Sequence, residues 1–429
     1  MQKNNKSYIK KTAVIAQLFA SAVLSLALLL GCAPVLRLNA TDLMYGITAR
    51  RVAQTQASEQ FVSGVADFSL DLFRHSFDGE QNTLVSPTSV LFALAMTANG
   101  ASGQTLAQMQ DVLAGGMPTT QLNRYLHSFN NSLPSVQNSR LEINNSIWFN
   151  QNGFTPNQDF LQTNADYFGA NAYAAAFDDT TLRDINSWVS YHTDGMIDSI
   201  IDEINPESVM HLINTVMFDA EWASIFCSSE ISNRTFYNLD GTQSLIPFMT
   251  RGGPLGELRY FISDDYATGF IKPYALGHYS FVALLPNESV SIADYAASLT
   301  GTGFVDMVAS AQIGSVWASI PKFEFEFDVN LNRVLKDMGM PRAFSATGEL
   351  EGLGTSPVGP LFIAEVEHAT FISVNERGTR AGAATSVETM PSSAPEFDHF
   401  VNLNRPFVFA IVDNNTNLPI FIGAHTTAT

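Results

Sequence analysis

Apolar side chains recur at helical spacing over residues 58–75, where Phe61, Val65, Phe68 and Leu72 fall on one face and predict a helix. Ser86-Pro87-Thr88-Ser89 opens a second helix. Ser86 has the acceptor an N-cap needs, Pro87 suits the first turn, and the apolar run 90–96 follows until Gly100 ends it. A third helical pattern covers 181–201 with Trp188 on its apolar side, and a short one over 330–338 is ended by Gly339. Strand patterns occupy 141–149 and 211–218, and 279–285 is a continuous apolar strand closed by Pro286. Residues 317–327 alternate, with Phe323, Phe325 and Phe327 against Lys322, Glu324 and Glu326, which predicts one half-buried strand. Helices come early and strands late, without regular βα alternation. The expected class is therefore α+β with mostly antiparallel sheets.

One segment fits no such element. Residues 376–393 read Glu-Arg-Gly-Thr-Arg-Ala-Gly-Ala-Ala-Thr-Ser-Val-Glu-Thr-Met-Pro-Ser-Ser, between an apolar run at 370–374 and two more near 407–409 and 420–422. A connection between strands has a median of about five residues, and this one is several times longer. Its first half is small and free of Pro, so it could join a sheet without a clash. A long exposed segment able to become a strand points to a switch rather than a tether.

Composition narrows the partners. The chain has 429 residues, 46% apolar and 15% charged, enough for a large core. Its formal charge is −19, and the four Lys of its start (Lys3, Lys6, Lys10, Lys11) leave the remainder more acidic still. Such a body argues against nucleic acid or anionic lipid as a partner. Two Cys, 32 and 227, cannot build a disulfide framework. The Lys-rich start, the apolar run 12–30 and Leu29-Leu30-Gly31-Cys32 form an export signal. The ending resembles a prokaryotic lipoprotein box, which implies cleavage before Cys32 and lipid on its thiol and new amine. The alternative is an uncleaved anchor, since about 19 apolar residues can just span a bilayer. Either places the body outside the cytoplasm at the cell envelope. Cys227 is then expected to be a buried, inert thiol. Residues 33–56 lack a period and read as a tether.

Motifs for catalysis are missing. There is no Gly-x-Ser-x-Gly elbow, no His-Glu-x-x-His and no Cys-x-x-Cys. Gly301-x-Gly303 lacks the third glycine of a dinucleotide fingerprint and reads as a turn. Glu365 and Glu367, two apart, would share one face of a strand as a structural pair. No cofactor or metal is expected.

Taken in order, several stretches resemble the serpin family over residues 57–425. They are Asn82, Ser86-Pro87, Ser89, Gly100 and Thr105; Ile185-Asn186 with Trp188-Val189, Thr193, Gly195 and Ile197; and Leu212-Ile213-Asn214 with Phe218, Trp222 and Phe226. Pro321-Lys322-Phe323, Leu335 and Gly339-Met340 follow, then His368, Phe371-Ile372 and Val374 to Thr379, then Asn404-Arg405-Pro406-Phe407 and Phe421-Ile422-Gly423. The resemblance implies a serpin fold of three mostly antiparallel sheets with about eight or nine helices, in one domain over 57–429 after a signal (1–31) and a lipidated tether (32–56). It implies a metastable monomer whose exposed reactive loop, about 376–398, is cut by a serine protease and inserts as a new strand, trapping the enzyme. In serpins, loop insertion is the step that releases stored strain.

The loop residues bear on that implication. Seventeen residues from Glu376, as inhibitory members count, place the reactive bond at Ser392-Ser393, with Met390 and Pro391 shaping specificity. Small uncharged flanks suit an elastase- or subtilisin-like enzyme rather than a trypsin-like one. On a strand Thr379, Ala381, Ala383 and Thr385 form one row, all small, which suits burial after a hinge at Glu376 and Gly378. By resemblance, Ser86, Ser89, Asn214 and His368 meet where the main sheet must part, and Trp222 lies where the loop goes in. A serpin-fold binding or scaffold protein, whose loop is only a substrate, is the alternative.

Overall fold

The computed structural model describes residues 36–428 except 134, 137, 138, 153, 252–259, 358 and 380–396. Cys32 and the loop residues Ala381, Ala383, Thr385, Met390, Pro391, Ser392 and Ser393 lie outside the described residues. The described body, from Leu38 on, clusters as one compact unit.

Local chemistry sets the helices. Ser58 caps the helix Glu59–Ser76 by accepting the Phe61 N–H, with Glu59 in the first turn and Arg74 and His75 in the last. That arrangement places opposite charges at the two ends of the helix dipole. Ser86 caps Pro87–Ala98 in the same way, and every residue of this helix is buried. A helix apolar all round belongs in the middle of a core, and this one lies against the underside of the main sheet. Nine α-helices occur among the described residues.

Three main sheets carry the fold. The large one runs, edge to edge, Thr41–Asp42, Asn171–Ala175, Ser139–Asn150, Met210–Glu221, Gly378–Thr379, Glu365–Val374 and Phe323–Asn330. A second, of seven strands, is centred on Tyr279–Pro286, Phe407–Asp413 and Pro419–His425. These three strands are buried throughout, and their aromatic rings pack against those of the large sheet, as between Phe218 and Tyr279. The third runs His399–Asn402, Val316–Pro321, Gln243–Arg251, Ile231–Tyr237. The class is α+β and pairings are mainly antiparallel, as the pattern predicts.

Five expectations need correction. The alternating run 317–327 is two strands in different sheets, Val316–Pro321 and Phe323–Asn330. Pro321 brings no N–H to a ladder, and the chain changes sheet at Lys322. The helix expected over 181–201 stops at His192, because Asp194 (φ 50°) and Gly195 (φ 73°) turn left-handed and the Thr193 hydroxyl bonds the Val189 carbonyl. Gly301 and Gly303 form no turn but start the helix Gly301–Ala309, where a Cβ on Gly301 would lie 2.2 Å from the Asp67 backbone nitrogen. The segment read as a tether is tied down from Asn39 onward. Asn39 and Ala40 donate their N–H groups to Asp184 (2.7 and 2.8 Å), and Thr41–Asp42 pairs with the edge of the large sheet. Cys227, expected buried, is only half-buried.

Candidate functional site: a parallel seam in the large sheet

Met210–Glu221 is bound along one side by a long antiparallel ladder, from Ser139↔Ala220 to Phe149↔Met210. On its other side it lies parallel to Glu365–Val374, but that ladder runs only from Glu365↔His211 to Ala369↔Thr215. At the far end another segment stands between the two strands. Gly378 pairs with Glu221, while Thr379 pairs with Ala220 on one flank and Val374 on the other. Parallel pairing is slightly weaker per residue than antiparallel pairing, so the seam is a soft line in the sheet, closed at one end and already entered by Gly378 and Thr379 at the other.

A tight reversal brings Gly378 and Thr379 there. The Asn375 and Gly378 backbones bond each other in both directions (2.9 and 3.3 Å), and Asn375 Oδ1 accepts the Arg377 N–H at 2.9 Å. Gly378 is required by proximity, since a Cβ would lie 2.0 Å from the Ala220 carbonyl oxygen. Trp222, almost fully buried, receives the turn. Its backbone N–H donates to Arg377 O (2.7 Å), its indole N–H to Asn375 O (2.8 Å), and Phe226 N–H to Glu376 O (2.8 Å). Two ion pairs flank the turn, Lys322 with Glu376 at 2.6 Å and Arg377 with Glu221. Burial, the largest single influence, raises the Glu376 carboxyl, but the hydrogen bond and charge of Lys322, a backbone N–H and the charge of Arg377 together hold it below its usual range. Thr379 is 3% exposed, and its hydroxyl meets the Tyr274 hydroxyl at 2.5 Å.

The closed end holds a polar cluster in which Ser86, Ser89, Asn214 and His368 come together, all fully buried. His368 and Asn214 face each other directly across the seam. The His368 Nε2 lies 3.0 Å from the Ser86 N–H, and Nδ1 lies 2.9 Å from Asn214 Oδ1. Nε2 must therefore accept and Nδ1 must carry the proton, which makes the ring neutral. Burial pushes its pKa down to about 3, and a second proton would also point at the Ser86 N–H. The Asn214 amide donates to Ser89 O at 2.8 Å and to Asn145 Oδ1, and Ser86 Oγ donates to Ile420 O at 2.8 Å. No strand could come between Asn214 and His368 without breaking their bond.

Sequence reasoning missed Asn145 and Tyr274. Asn145 had a signal, a polar pair, Asn144-Asn145, in the middle of a largely buried strand. Tyr274 had none, because its partner lies 105 residues away. Of the paired carboxylates, Glu367 accepts from Asn330 (2.6 Å) and Glu365 lies 3.2 Å from buried His211, so both are held within the sheet.

His211 is pushed down to about 4 and His425 to about 3, again by burial. These two and His368 stay neutral in the folded protein while the unfolded chain takes up protons below about pH 6.5. Their stabilisation is complete above that value and is lost as pH falls toward 3–4, by about 1.4 kcal/mol per pH unit for each ring at most. The midpoint of urea unfolding is expected to fall sharply between pH 7.5 and pH 5. His425→Phe, which keeps the ring among Phe236, Phe323 and Phe407, should flatten that slope; equal slopes would contradict this assignment.

A sheet with a half-closed parallel seam, a two-residue strand, Gly378–Thr379, turned into its open end and a polar clasp at its closed end defines a class. The serpin (serine protease inhibitor) family profile matches residues 63–427, and the chain belongs to the serpin family. It is a serpin-family protease inhibitor, of a kind that is typically not an enzyme. Among solved structures, the thermophilic serpin tengpin in its native state is 45% identical, with a TM-score of 0.86, over 90% of this chain and 99% of that one. Tengpin in its latent state matches less well, at a TM-score of 0.78 and 42% identity over 88% of this chain and 100% of that one. An uncharacterized serpin-like protein of Thermococcus kodakarensis is 31% identical over 371 residues, 84% of each chain. Alpha-1-antiproteinase of Rattus norvegicus is 26% identical over 380 residues, 86% of this chain and 90% of its own.

Proposed function

We propose that this chain traps elastase- or subtilisin-like serine proteases as a suicide substrate, with Ser392-Ser393 as the bait bond. The observation that carries the reading is the position of Gly378 and Thr379, already paired between Met210–Glu221 and Glu365–Val374. The protease nucleophile attacks the carbonyl of Ser392, forms an acyl-enzyme, and releases the amine of Ser393. The freed strand then continues along the line Thr379 has begun. Each further residue adds ladder bonds on the flanks of the seam, at about 1 kcal/mol net per bond. A dozen residues would thus gain on the order of 10 kcal/mol, enough to carry an acylated protease away from its working geometry. Small residues at Ala381, Ala383 and Thr385 make that burial inexpensive, and Ser on both sides of the bond suits a shallow, uncharged pocket.

The reading is tested by mixing the protein with elastase and with subtilisin and running a denaturing gel. The expected product is a covalent band with the mass of protease plus cleaved inhibitor, and a released C-terminal fragment beginning at Ser393. Cleaved protein beside fully active protease would leave the loop as a mere substrate.

A further inference from the structure

We propose that Tyr274 is a positioning residue for the bait loop, its hydroxyl holding Thr379 as the first rung of the strand that insertion will build. This rests on the loop-insertion reading above and adds to it how insertion starts. The phenol cannot swing away. Tyr274 is fully buried, stacked on Trp222 (centroids 4.5 Å apart, planes 12°) and edge-on to Phe218 (5.1 Å, 72°). Its backbone is pinned by a bond from its N–H to Tyr279 O at 3.0 Å and by a bridge to Trp222. Trp222 in turn holds the turn before the hinge, through Arg377 O and Asn375 O.

A buried hydroxyl needs a partner. The Thr379 hydroxyl is the partner the structure gives Tyr274, 2.5 Å away. Withdrawing the hinge would orphan the phenol in an apolar stack, so the resting loop is biased toward the docked position. Thr379 already sits in register between Ala220 and Val374. The bond therefore need not break when the rest of the loop follows. It acts as a nucleus: after the bait bond is cut, insertion propagates from an existing rung instead of forming its first one in competition with release of the acyl-enzyme.

The test is backbone hydrogen exchange of residues 375–379 in the intact protein, with no protease present, for Tyr274→Phe, Thr379→Val and the double variant. Each single change leaves one buried hydroxyl unpaired and should raise exchange about fivefold, the worth of one buried hydrogen bond. The double change leaves no hydroxyl unpaired but has no phenol to orphan on withdrawal, so exchange should stay raised about fivefold, as in the singles, and not reach their product. Unchanged exchange in Tyr274→Phe, or a double variant equal to the product of the singles, would overturn the proposal. In the trapping assay Tyr274→Phe should raise the number of inhibitor molecules consumed per protease trapped, about fivefold; an unchanged number would overturn the nucleating role. If the parent traps no protease while the exchange pattern holds, the inhibitory reading fails and the docking bond does not.

Discussion

Thr379→Arg is expected to abolish trapping while leaving the loop cleavable. Thr379 lies 3% exposed between Ala220 and Val374, under the Tyr274 hydroxyl. Its register partners, Ala220 and Val374, offer no carboxylate, and burying an unpaired guanidinium costs several kcal/mol. The hinge would then stay out, and the first rung of the new strand could not form. A loss of about 3 kcal/mol at the start of insertion slows it more than a hundredfold, long enough for water to release the acyl-enzyme. The covalent band should fall at least tenfold, with cleaved inhibitor and active protease accumulating instead. An undiminished band would mean that insertion does not pass through Thr379.

Asn214→Ala should shorten the life of the uncut form. The Asn214 amide joins His368 across the seam to Ser89 and Asn145. Its removal strands the His368 Nδ1–H and the Asn145 side-chain carbonyl, both buried, at about 1–3 kcal/mol for each group left unpaired. The bond to His368 exists only while the seam is closed. Its loss raises the closed form in energy more than the parted one, and about 2 kcal/mol would speed parting roughly thirtyfold. Incubation of the uncut variant at raised temperature, followed by titration of residual trapping capacity, measures this. A lifetime equal to the parent's would remove the cluster from the gate and leave it as ordinary core.

The parts legible in the sequence were those set by neighbours along the chain. Ser58 and Ser86 announce their helices because an N-cap is a matter of three residues. The apolar run at 279–285 and the partner run around Asn214 emerge as buried strands of the second and first sheets. What failed was non-local. The alternation through 317–327 is continuous, yet its two halves serve different sheets, and Pro321 is the one local sign. Thr193 to Gly195 ended a helix because of backbone turns that periodicity does not register. The functional site was harder still. His368 and Asn214 are 154 residues apart, and no spacing rule joins them; only likeness to a family pointed to both. Tyr274 escaped even that, since its importance comes from the ring stacked on it and the hydroxyl above it.

Trapping of this kind depends on metastability that the loop relieves, and thermal unfolding before and after a single cut in the loop addresses it most directly. If the cut strand enters the seam between Met210–Glu221 and Glu365–Val374, the cleaved protein should unfold above the intact one, by about ten degrees for a gain on the order of 10 kcal/mol. A cleaved form that melts at the same temperature as the intact protein, or below it, would contradict insertion.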